Sequence, residues 1–148
     1  MSSKFDFFEK QKFLYFRSAT TLSNDKKTDS GNTSDDTFGS ICVPVKDIVA
    51  FYPGNQLNIS DNKLTIAFKS IKRIMSDGAN GNNLVHDMVV LNLVNANTHR
   101  DVITTISKLI ADPYGDDFIV IADVFKKEFI AGVNGVETIA VADPFVDA

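Results

Sequence analysis

The sequence predicts an α+β fold: mainly antiparallel β-sheets, one amphipathic helix packed on a sheet face in two layers, and a long polar surface loop at 19–37. Three observations carry this prediction. Several short segments alternate apolar and polar residues at a period of two, as Leu64, Ile66 and Phe68 do against Thr65, Ala67 and Lys69. One window repeats its apolar residues at helical spacing: Val102, Ile103, Ile106, Leu109 and Ile110. The order is many strands, one helix, then two or three strands, without repeat or boundary, so residues 1–148 are read as a single domain.

Residues 5–16 hold Phe5, Phe7, Phe8, Phe13, Tyr15 and Phe16. The piece 12–17 reads as a strand, because aromatics suit a pleated, half-buried surface. Residues 1–11 are either a segment lying on the protein's own core or an N-terminal arm whose Phe5, Phe7 and Phe8 bury in a neighbouring subunit. Residues 19–37 carry Leu22 as their one large apolar side chain. Such a stretch cannot offset its ordering entropy by burial, so a surface loop is expected there.

Residues 40–45 form a short strand, and Pro44, which lacks an N–H, places it at an edge or bulge. Val49-Ala50-Phe51 is a further strand ended by the turn Tyr52-Pro53-Gly54-Asn55. Strand 63–70 has the pattern of one buried face. Residues 76–83, SDGANGNN, are a loop. Strand 88–94 is apolar on both faces and therefore expected to be central. Thr98 is the expected helix N-cap, Asp101 favours the positive end of the helix dipole, and Pro113 and Gly115 stop the helix. Phe118–Ala122 reads as a buried strand and 124–130 as a turn with a second short strand. In the last strand Val136, Thr138, Ala140 and Ala142 share one face, against Glu137, Ile139 and Val141.

Composition bounds the function classes. The chain has 15 Lys+Arg against 19 Asp+Glu, a net charge of −4, which argues against a nucleic-acid backbone as partner. Lys10, Lys12 and Arg17 do stand among aromatics, and Lys69, Lys72 and Arg73 make one basic cluster. A single-strand groove wants both basic and aromatic groups, but the whole chain is acidic. No run approaches the ~18–20 apolar residues that span a bilayer, so no membrane partner is expected. Charges interrupt the Phe residues of MSSKFDFFEK, so no secretory signal is expected either.

Catalytic chemistry is poorly provided for. Cys42, the single thiol, lies between Ile41 and Val43 and is expected to behave as a small buried apolar residue. His86 and His99 stand on different elements and are expected at the surface or in capping positions. No His-x-x-His or Cys-x-x-Cys pair offers zinc spacing. The pairs Asp35-Asp36 and Asp116-Asp117 could share a proton or hold a hard cation, but solvated loop charge and a helix-to-strand turn explain them better. No catalytic residue, cofactor or metal is expected.

Stretches 13–18 (FLYFRS), 41–45 (ICVPV), 64–70 (LTIAFKS) and 89–106 into 117–123 (DFIVIAD) resemble, in this order, small proteins of marine tailed phages, including those that infect cyanobacteria. The resemblance spans most of residues 10–142. The chain departs from that group in its loop at 19–37 and in insertions at Gly54-Asn55 and Gly78–Asn83. The resemblance implies a phage origin. It further implies a non-enzymatic structural virion protein: a capsid decoration or cement protein, homo-oligomeric, bound to the major capsid protein or other virion proteins. Such a protein would be assembled in the host cytoplasm and located in the virion. Its expected partner-binding anchors are Phe5, Phe7, Phe8, Phe145 and Val146. The alternative is a regulatory or host-interaction binding module in the infected cell.

Overall fold

The computed structural model describes residues 11–21, 26–28, 36–55, 58–70 and 86–141. Its described elements are β1 (Phe13–Arg17), β2 (Lys26–Thr28), β3 (Asp36–Phe38), β4 (Ser40–Pro44), β5 (Ile48–Pro53), β6 (Lys63–Lys69), β7 (His86–Leu93), α1 (His99–Ala111), β8 (Phe118–Asp123), β9 (Glu128–Phe129) and β10 (Val133–Val141). This is an α+β fold of mainly antiparallel sheets with one helix among the described residues. A single 3-10 turn, Val45–Asp47, joins β4 to β5.

The strands form two sheets, one in the order β4-β1-β8-β9 and one in the order β2-β3-β10-β7-β6-β5. Among the described pairings, β1 with β8 is parallel and the others are antiparallel. Pro44 ends an edge strand, where its missing N–H costs no ladder bond. β7 lies between β10 and β6, as its two apolar faces require.

One apolar cluster joins both sheets and the helix. It takes Leu14 and Phe16 from β1, Ile41 and Val43 from β4, and Ile119 and Ile121 from β8. Leu64, Ile66 and Phe68, with Val89 and Leu91, face them from the larger sheet. The Phe16 and Phe68 rings meet edge to face at 5.9 Å, tying sheet to sheet. Val102 and Ile106 of α1 are buried in the same cluster, with Ile103, Leu109 and Ile110 packed against it. The helix stripe therefore reaches a core that the two sheets share.

Both ends of α1 are tied down. At the start, His99 Nε2 lies 2.7 Å from Lys63 O and 3.1 Å from Ser60 O. At the end, Lys12 Nζ donates to Leu109 O at 3.1 Å and Asp112 O at 2.6 Å, setting a cation on the negative end of the dipole. Thr98 occupies the N-cap position but caps nothing with its side chain; its hydroxyl donates to Asn95 O at 2.8 Å instead.

Four further expectations are corrected. The stretch 19–37 contains β2 and the start of β3, so it is not wholly a loop. β6 is buried on both faces: Thr65 and Ala67 are buried as fully as their neighbours, with the Thr65 hydroxyl donating to Gly54 O at 2.7 Å. Two register shifts in β10 place Asn134 and Glu137 as extra residues against β7. Each resets the alternation, so Val136 joins Ile139 and Val141 in the core while Thr138 and Ala140 turn to the other face. Cys42 is exposed, because Ile41 and Val43 take the inward positions of β4.

Candidate functional site

The expected anchors Phe5, Phe7, Phe8, Phe145 and Val146 lie outside the described residues, as do Lys10, Lys72 and Arg73 of the basic clusters and the whole loop at 76–83. Within the described residues, the aromatic surface lies elsewhere: on the outer face of the four-stranded sheet.

Alternation builds that face. Leu14 and Phe16 of β1 point inward, so Tyr15 and Arg17 point out. Ile119 of β8 points inward, so Phe118 and Val120 point out beside Tyr15. The Tyr15 and Phe118 rings lie 5.3 Å apart, tilted by 36°. A register shift between Tyr15 and Phe16 brings Arg17 opposite Asp123. The turn after β8 then carries Phe125 back over the sheet, where the Arg17 guanidinium stands 5.6 Å from its ring centroid. Phe118 is 51% exposed and Phe125 39%, although both are large apolar groups. The expectation of a wholly buried strand at Phe118–Ala122 is corrected here: Phe118 stands open to solvent.

The polar groups around these rings hold the local structure in place. Arg17 is buried, and its guanidinium donates to Thr21 O. Asp123 Oδ1 accepts the Lys126 N–H at 3.1 Å, which closes the turn under Phe125. Lys127, at a φ of 57°, takes the left-handed position in that turn. Lys12 is engaged with the helix terminus, so of the basic residues first counted toward nucleic acid, Lys12 and Arg17 serve the fold.

Two hollows of about 320 Å³ each flank Phe118. One is lined by Tyr15, Arg17, Val120, Asp123, Phe125, Lys126 and Glu128 with Phe118 itself. The other runs toward the helix end, between Leu109, Asp112, Asp116, Phe118, Val120 and Ile130, with Glu128 on its rim. At this size each has room for a side chain or two, at the lower limit of small-molecule pockets.

The other candidates resolve into structure. His99 ties α1 to the start of β6. His86 pairs with Lys69 across the β6–β7 ladder. Lys63 bridges to Glu137 at 3.2 Å and donates to Asn92, bracing the second bulge of β10. Desolvation pushes the Cys42 thiol above its ordinary pKa, which disfavours the reactive thiolate. Among the described residues no three His, Cys, Asp or Glu side chains converge on a possible metal position. No helix among them is long and apolar enough to cross a membrane.

Comparison with known protein families, with curated proteins and with solved structures finds no match. Tyr15, Phe118 and Phe125 were missed as a group from sequence because β8 is apolar on both faces. The available signal was the pair Phe118 and Val120, two apart, on a strand next to one bearing Tyr15.

Proposed function

We propose that this chain is a non-catalytic docking protein whose outer aromatic face seats on a partner, and, following the phage resemblance, that the partner is a virion surface. The observation that supports this most is the exposure of Phe118 and Phe125 beside Tyr15 and Arg17. Tyrosine is among the residue types enriched at interface hot spots, and aromatic rings anchor interface centres. A folded chain gains nothing in its own stability by holding such rings in water.

Size supports the reading in part. A stable interface covers roughly 800 Å² per partner. Four short strands about 4.8 Å apart offer a flat footprint of roughly 300 Å². The turns at 112–117 and 124–127, which flank the same face, have to join the contact for it to hold. A decoration protein repeated over a shell also gains from avidity, so a modest single-site affinity suffices.

Quantitative peptide mapping of purified particles tests the proposal. The wild-type chain is expected at fixed, high copy, and a Phe118→Ser/Phe125→Ser variant at a small fraction of that copy. Absence of the wild-type chain from particles, or full incorporation of the variant, overturns the reading.

A further inference from the structure

The second hollow beside Phe118 has a definite charge. Its floor is apolar, made by Leu109, Phe118, Val120 and Ile130, and its rim carries the carboxylates of Asp112, Asp116 and Glu128. Asp112 is partly engaged, since its Oδ1 accepts the Tyr114 N–H at 2.9 Å. The residues lining this hollow carry three carboxylates and no lysine or arginine; Lys12, at the backbone oxygens of Leu109 and Asp112, and Lys126 and Lys127, on the turn before β9, stand around it.

We propose that this groove binds a peptide segment of a partner protein that alternates lysine or arginine with apolar residues; this rests on the docking function proposed above. An aliphatic side chain enters against Leu109, Val120 and Ile130. A guanidinium or ammonium lies over the open part of the Phe118 ring, as Arg17 already lies over Phe125 on the same face. The cation then stands within reach of Asp116 and Glu128. A lysine or arginine stem covers apolar surface while its charged head meets the rim, so one side chain satisfies both parts of the groove.

The test uses the full chain and two labelled octapeptides, one alternating arginine with leucine and one alternating glutamate with leucine, read by fluorescence anisotropy. The arginine peptide is expected to bind and to weaken with added salt, and the glutamate peptide to stay free. Asp116→Asn/Glu128→Gln should weaken binding tenfold or more, at about fivefold for each carboxylate, the upper size of an exposed ion pair. Its melting temperature should match that of the wild-type chain. Equal binding of the two peptides, or wild-type binding by the charge variant, overturns the proposal. So does a concentration-dependent dimer that Phe118→Ser abolishes while neither peptide binds, because a second copy then owns the face. If Phe118→Ser/Phe125→Ser loses particle association while the charge variant keeps it, the basic partner fails and the docking function stands.

Discussion

Replacing Ile106 by Ala probes the junction on which both sheets depend. Ile106 is fully buried, on the helix face that enters the shared core. The substitution removes three carbons, or about 2.4 kcal/mol of transfer free energy at ~0.8 kcal/mol each. Both sheets hold the surrounding residues in place, so the site cannot collapse and a cavity remains. The total loss should be about 3–4 kcal/mol, within the usual span for such truncations. For a domain of this length that lowers the melting temperature by about 7–15 °C. Thermal and urea unfolding followed by circular dichroism measure it, with two controls on the same helix. Ile103→Ala, half-buried, should cost about 1–2 kcal/mol, and exposed Lys108→Ala less than about 0.5 kcal/mol. Ile106→Asp should abolish folding, since it buries a charge without a partner. A loss below about 1 kcal/mol for Ile106→Ala, or a larger loss for Ile103→Ala, would refute the placement of the stripe.

Three further outcomes are expected. Gly54→Ala should destabilise by about 2–4 kcal/mol, because a Cβ there would stand 2.2 Å from Asn58 O and the residue sits at a φ of +94°; an unchanged urea midpoint would show that the turn relaxes freely. Lys12→Met should cost about 1 kcal/mol and speed amide exchange at Asp112, whose N–H bonds Lys108 O in the last helical turn; unchanged exchange would mean the lysine does not hold the helix end. Cys42 should alkylate in the native protein because it is exposed, but slowly at neutral pH because desolvation raises its pKa. Its rate should therefore still be climbing above about pH 8.5, the usual thiol pKa; a plateau below that pH would contradict the assignment.

Much of the fold was legible because single residues carried decisive physics. Pro44 had to sit at an edge or a bulge, Met88 to Val94 offered two apolar faces and supplied most of the central strand β7, and the stripe from Val102 to Ile110 specified the helix. The misreadings occurred where the outcome depends on non-local structure. The bulges at Asn134 and Glu137 arise from pairing with β7, and nothing in Val136, Glu137 and Thr138 announces a reset of alternation. Thr98 has the right chemistry for a cap, yet its hydroxyl turns back to Asn95. The aromatic face depends on which side of β8 the second sheet covers. Phe118 and Ile119 are equally apolar in sequence, and tertiary packing alone decides that one is buried and the other meets solvent.

The central claim is that Tyr15, Phe118 and Phe125 exist to be covered by another polypeptide. Hydroxyl-radical footprinting of the free chain and of the chain within purified particles tests this most directly. Strong modification of Phe118 and Phe125 is expected in the free protein, with protection of both and of Tyr15 on assembly. Equal modification in the two states, with protection confined to other surfaces, would contradict the account.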